Sequence, residues 1–301
     1  MCIRDRPSGV SGALNLDGHY LLPGCVEVHT DNLEKHLQPR GSKWPALPAL
    51  LAHDAQVAGL GITTVLNAVC IGVEADLHGM PRDFFDDCAP AIRQAKSANL
   101  LRAEHFLHVR CELPHPDLAT RLEAILKNAD LRLVSLMDHT PGQRQVTDIA
   151  RLRKGYERMG PVNDEWFAGR IAYEQDKQAR FAEPNRRRLV EILRGRQIPV
   201  ASHDDANAEH VAEAVRDGVS ISEFPTTIEA ARAARAAGLK SIMGAPNVVL
   251  GGSQSGNLSA LEAAREGLVD GLSSDYAPVS LIQAAFLLAQ AVDMTLERCV
   301  A

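Results

Sequence analysis

The sequence has no apolar run long enough to span a membrane and no signal-peptide core. Its longest apolar stretch near the end, Leu281 to Val292, is interrupted by Gln283 and Gln290 and reads as a buried helix. Six cysteines are scattered without a CxxC pair. That spacing excludes a disulfide frame and predicts reduced core thiols of a cytoplasmic protein. An excess of positive charge is also missing. The formal net charge is −6, so bulk attraction to nucleic acid or to an acidic membrane is not expected. There is no GK[ST] of a Walker loop, no solenoid-type short repeat and no low-complexity linker.

What is present is an alternation. Runs rich in β-branched residues fall at Cys25–His29, Thr63–Val69, Glu104–Cys111, Arg132–Met137, Pro199–Ser202, Val219–Ser222, Leu239–Met243 and Gly271–Ser274. Amphipathic segments lie between them, at Pro48–Gly59, Asp83–Ala98, Pro116–Asn128, Pro184–Arg194, Ala208–Asp217, Ile228–Ala237 and Ser259–Glu266. Gly218, Gly238 and Gly267 each follow a helical run just before a strand, where a left-handed helix stop belongs. Eight strands, each returning through a helix, predict an α/β fold of the (β/α)8 TIM-barrel type. A doubly wound open sheet has the same periodicity and stays open as an alternative. The polar segment from Arg144 to Gln178 reads as a helical excursion on the rim.

In such a barrel, chemistry sits at the C-terminal strand ends. The polar residues collect there: His29 and Asp31, Arg110 and Glu112, Asp138 and His139, His203 with Asp204 and Asp205, Glu223, and Asp275. Residues i and i+2 of a strand share a face, so His29 and Asp31 are expected to point together into the barrel mouth. With Glu112, His139, His203 and Asp275 they form a donor set suited to one or two divalent cations such as Zn²⁺ or Mn²⁺. A water acidified between such cations is a nucleophile at neutral pH. Each residue also has a plainer reading. SHDDA fits a helix N-cap, SSDYAP fits a turn before Pro278, and His53, His105 and His108 read as structural.

Behind the first strand, Lys35, His36 and Arg40 suit a polyphosphate, and Arg110 and Arg144 lie at two further strand ends. A solvated loop is the competing reading for Lys35 and Arg40. The run Arg186 to Arg188 reads as a wet helix face. GGSQSGN supplies Gly252, Ser253 and Asn257 before a helix, a place where backbone N–H groups cradle phosphate.

The stretches PGCVEVHTDNLEKHLQPR, HVRCELPHP, SLMDHTPGQRQ, ASHDDA, ISEFPTT, MGAPNVVLGGSQSGN and SSDYAP together resemble the phosphonate-utilisation branch of the amidohydrolase superfamily, from about Leu21 to Gln290. The resemblance implies a metal-dependent hydrolase on a (β/α)8 barrel. It would cleave the triphosphate tail of a ribose 1-methylphosphonate ester, releasing pyrophosphate. It further implies that His29 and Asp31 hold one metal, Glu112 bridges, His139 and His203 hold a second, and Asp275 binds metal and serves as general base. The expected partner is that small molecule, not nucleic acid or a membrane, and homo-oligomers form through barrel faces in this superfamily. Other activities on the same metal site, deacetylation or deamination, are the competing reading.

The superfamily's flanking β-sandwich domain is largely missing from the sequence. MCIRDR, Met1 to Arg6, reads as a non-native, adaptor-derived start. Residues 7–20 are then a remnant of the flanking segment, and 21–301 the barrel with a truncated C-terminus. An inactive truncated barrel is the reading that this departure leaves open.

Overall fold

The computed structural model describes residues 16–74, 83–128, 130–158, 160–253 and 256–300. Residues 1–6 and most of 7–20 lie outside these, so the expectation for the chain's start is not addressed.

Eight strands form one parallel sheet in sequential order. They are β1 (Cys25–Thr30), β2 (Ile62–Ile71), β3 (Glu104–Glu112), β4 (Leu131–Met137), β5 (Val200–His203), β6 (Ile221–Glu223), β7 (Lys240–Gly244) and β8 (Gly271–Ser273). The ends of the sheet meet through a parallel bridge between Thr30 and Asp275. The Glu27 carboxylate reinforces the seam by accepting from His29 N at 2.8 Å and Ser274 N at 2.7 Å. The architecture is the (β/α)8 TIM barrel read from the periodicity, not an open sheet.

The helices are α1 (Asn32–Leu37), α2 (Ala46–Gly59), α3 (Phe85–Ser97), α4 (Leu118–Asn128), α5 (Ile149–Glu157), α6 (Asp164–Leu193), α7 (Ala208–Arg216), α8 (Ile228–Ala236), α9 (Ala245–Val249), α10 (Ala260–Arg265), α11 (Ser280–Ala291) and α12 (Leu296–Val300). Helices α7 and α8 stop two residues before Gly218 and Gly238, which turn left-handed at φ 77° and 80°. The apolar core fills the layer between strands and helices. Val69, Val109 and Val134 on the strands pack with Leu50, Ile92, Leu122 and Leu189 on the helices. None of the described helices is long and apolar enough to cross a membrane.

One element departs from the sequence pattern. The helical excursion and the segment beginning at Pro184 are a single 30-residue helix, α6, that runs through the proline. Proline within a helix removes one backbone hydrogen bond and crowds the preceding turn. Here tertiary ties on both sides offset that cost. Gln178 Nε2 donates to Asp138 at 3.3 Å, and Asn185 Nδ2 donates to the Leu113 and His115 carbonyls at 2.8 and 2.6 Å. Helix α6 is thereby laid along the C-terminal side of β3 and β4, where its first half meets the barrel mouth.

Candidate metal centre and its cavity

A cavity of about 810 Å³ opens at the C-terminal strand ends. His29, Asp31, Arg110, Glu112, His139, His203, Asp204 and Asp275 all line it. Each lies within two residues of a strand's C-terminal end, which is where a parallel barrel gathers its polar side chains.

Three imidazoles gather at His203. The His29 and His203 rings stack with centroids 5.7 Å apart, and His139 meets His203 edge-on at 5.6 Å. Their Nδ1 atoms are held from behind by carboxylates. Glu223, 1% exposed, accepts from His29 Nδ1 at 2.6 Å and from His203 Nδ1 at 2.8 Å. Burial would raise the Glu223 carboxyl, but His29 and His108 hold it well below the usual range. It is therefore an anion, and both imidazoles donate at Nδ1, which leaves Nε2 as the atom able to meet a ligand.

Glu112 does the same for the third ring. Its oxygens accept from His139 N at 2.8 Å and His139 Nδ1 at 2.6 Å. Burial opposes charge on both partners, yet their attraction prevails. Glu112 is held down at about 2 and His139 up at about 10.

Asp204 completes this half of the site. Its Oδ2 stands 3.4 Å from His203 Nε2 and 3.7 Å from His139 Nε2. That oxygen is buried and makes no hydrogen bond. The residue sits at φ 55°, a conformation uncommon outside glycine and worth explaining at a site. The sequence offered Asp204 as a helix cap, but Asn207 caps α7, accepting from His210 N at 2.9 Å. Asp204 is thus not the cap of α7, and its carboxylate faces the two imidazoles. His139, His203 and Asp204 present ligand atoms all within 4.8 Å of one another, an N, N, O set that fits a borderline divalent cation.

A second group with such spacing, His29, His108 and Glu223, lies behind the first. It is already satisfied internally. His108 donates from Nδ1 to the Val28 carbonyl at 3.0 Å, and Ser135 Oγ lies 2.5 Å from His108 Nε2 and 2.8 Å from Glu223 Oε2. Burial pushes His108 down to about 3. This group is a scaffold for the ligands in front of it.

Asp275, at φ 53°, is fixed by its backbone, which donates to the His29 carbonyl at 3.0 Å. Burial raises its carboxyl, and Asp31 adds to the effect. Arg110 is pulled the other way by burial, but Cys70, Asp31 and Glu34 keep its guanidinium charged.

The residues expected for a polyphosphate divide. Arg110, Gly252, Ser253 and Asn257 line the cavity, while Gln254 and Ser255 lie outside the described residues. Lys35, His36, Arg40 and Arg144 are not on its wall. Lys35 donates to the Tyr276 carbonyl and lies 5.2 Å from that ring. His36 bonds Gln56 at 3.0 Å, and Arg40 is exposed. Arg144 is buried against Asp205 at 2.7 Å and Glu213 at 3.1 Å. Sequence reasoning missed Arg170 and Lys177, which reach the wall from α6. Their spacing with Trp166 and Glu174 marks one helix face, the signal that was available.

The chain is 45% identical over 289 residues to alpha-D-ribose 1-methylphosphonate 5-triphosphate diphosphatase of Escherichia coli (strain K12), covering 95% of this chain and 75% of that protein. No family model matches the chain. Among solved structures, a double mutant of flavocytochrome b2 with pyruvate bound is 13% identical with a TM-score of 0.42, covering 92% of this chain and 66% of that one. Mandelate oxidase is 12% identical with a TM-score of 0.41, covering 93% and 72%. Neither structural likeness is close enough to carry an inference.

Proposed function

Because the chain belongs to the alpha-D-ribose 1-methylphosphonate 5-triphosphate diphosphatase family, we propose that it hydrolyses that triphosphate at a metal centre of the amidohydrolase type. The products are pyrophosphate and ribose 1-methylphosphonate 5-phosphate, formed in the catabolism of phosphonates. The observation that supports the metal most directly is the Asp204 oxygen, buried without a hydrogen bond and facing two imidazole Nε2 atoms.

His139, His203 and Asp204 would hold one cation, Zn²⁺ or Mn²⁺, and His29, Asp31 and Asp275 supply donors for it or for a second. A divalent cation there would neutralise phosphate charge and acidify an attacking water. Glu223 and Glu112 fix the ring orientations by holding Nδ1–H, and a bound cation would take the place of any proton on Nε2. Asp275 accepts the proton as water attacks phosphorus and the anhydride P–O bond breaks; its carboxyl, raised by burial, suits a proton acceptor better than an ordinary surface aspartate. Arg110 stays cationic and faces the charge that builds on the departing pyrophosphate.

The test is incubation of the metal-loaded chain with the triphosphate, followed by phosphorus NMR, with His203→Ala alongside. Pyrophosphate from the parent alone is the expected result. Metal bound by the folded parent with the triphosphate untouched overturns the reading.

A further inference from the structure

The cavity wall is short of fixed positive charge. Its described cations are Arg110, Arg170 and Lys177, and two of these three stand on α6. Helix α6 turns one face to the cavity, with Trp166, Arg170, Glu174 and Lys177 following at helical spacing. Arg170 and Lys177 are held by two carboxylates. Lys177 Nζ lies 2.8 Å from Glu74 Oε1 and 3.5 Å from Glu174 Oε2, and Arg170 pairs with Glu174 and reaches Glu74 at 3.6 Å. Tyr173 also donates to Glu74, at 2.8 Å. The Arg170 Nε is buried with no hydrogen-bond acceptor. None of these bonds reaches His29, His139 or His203, so the group is a unit apart from the metal centre.

We propose that Arg170 and Lys177 form a second anion subsite that binds a tetrahedral oxyanion of the substrate away from the reacting phosphorus, and that Glu74 is the internal anion which the substrate displaces. This rests on the diphosphatase reading for its substrate, although the subsite itself is readable without turnover. Arg170 has a free N–H and a weak 3.6 Å partner, which an oxyanion improves on both counts. Lys177 exchanges a carboxylate oxygen for a phosphoryl one. Glu74, on the segment after β2, is the group free to leave, since Glu174 is fixed on the helix beside both cations. The oxyanion is either the pyrophosphoryl end or the methylphosphonate end, which share the same chemistry.

Two measurements separate the outcomes. The first is calorimetric titration of inorganic pyrophosphate, and separately of methylphosphonate, into the metal-loaded parent, Arg170→Met, Lys177→Met, Glu74→Gln and Arg187→Met. Arg187 is exposed on the same helix and pairs with Glu183, so it serves as the control. Loss of a charged hydrogen bond weakens binding about ten- to a hundredfold. The two methionine variants are expected to weaken one of the probes by that factor, and Glu74→Gln to tighten it several-fold. Whichever probe responds names the substrate end. The second measurement is steady-state kinetics. Arg170→Met and Lys177→Met should raise KM more than they lower kcat, with Lys177→Arg restoring most of the loss. Unchanged probe affinities and KM in folded variants overturn the subsite. A parent that binds pyrophosphate in an Arg170- and Lys177-dependent way but spares the triphosphate would leave the subsite standing and sink the reaction instead.

Discussion

Replacing Glu223 by Gln should strip the site of a metal ligand without touching any residue that faces the cation. The Glu223 carboxylate accepts three hydrogen bonds, from His29 Nδ1 at 2.6 Å, His203 Nδ1 at 2.8 Å and Ser135 Oγ at 2.8 Å. A carboxamide keeps one oxygen and replaces the other with an NH₂ donor. Whichever way it lies, one imidazole then faces a donor and must accept at Nδ1. That ring moves its proton to Nε2 and can no longer offer the lone pair there. Loss of an outer partner of a ligating histidine costs about 10–100-fold in metal affinity, or ~1.4–2.7 kcal/mol. The metal-free fold should barely change in stability. Weaker hydrogen bonds destabilise it, while removal of a buried charge relieves desolvation, and the two oppose each other. Competition between the protein and a chromophoric chelator for Zn²⁺ reads the affinity. Nitrogen NMR of the imidazoles reads the tautomer. Metal affinity within twofold of the parent, in a variant that melts cooperatively, would refute the orientation argument.

Asp204→Asn tests the ligand itself. Asparagine tolerates the φ of 55°, so melting without metal should hold steady while metal affinity falls beyond the ~10–100-fold of an outer-sphere loss; chelator competition measures both parent and variant. Arg144→Met leaves Asp205, 0% exposed, without its cation. Stability should fall by about 3–5 kcal/mol in urea titration, and a rise in KM at unchanged stability would instead make Arg144 a substrate contact. His53 is pushed down to about 3 by burial, with His105 and His36 adding to it, against an ordinary 6.5. Between those values the unfolded chain binds a proton that the folded chain does not, so stability falls with falling pH, by up to about 1.4 kcal/mol per unit. Urea midpoints at pH 7, 6 and 5 should show a shallower decline in His53→Gln than in the parent.

The barrel was legible because parallel strands buried on both faces need continuous β-branched runs, and a glycine after a helix is forced by the left-handed stop. The strand-end donors were legible for the same reason: topology alone puts them at one rim. Helix α6 was harder. Pro184 punctuates the sequence as an end, and the anchors of Asn185 and Gln178 on the segments that follow β3 and β4 help carry the helix through it. Glu223 was visible as a strand-end acid, but its task was not. It lies 194 residues from His29, and no local pattern says that one carboxylate will face two imidazoles.

Charge shows why the phosphate contacts resisted reading most. The first loop carries Lys35, His36 and Arg40 next to a metal-type pair, and proximity in sequence made them natural partners for phosphate. Helix α1 turns Lys35 onto the Tyr276 carbonyl and leaves Arg40 in solvent. On the cavity wall itself, Asp31, Glu34, Glu74, Glu112, Glu174, Asp204 and Asp275 outnumber Arg110, Arg170 and Lys177. A wall with that surplus of carboxylates repels a free triphosphate. On the proposed function, it would admit one once cations fill the imidazole–carboxylate centre and Glu74 yields its place. Metal affinity and substrate affinity would then be coupled through one electrostatic balance, which the fold sets by deciding which charges face inward. Composition cannot show it, since the net charge of the whole chain says nothing about the sign of a single cavity.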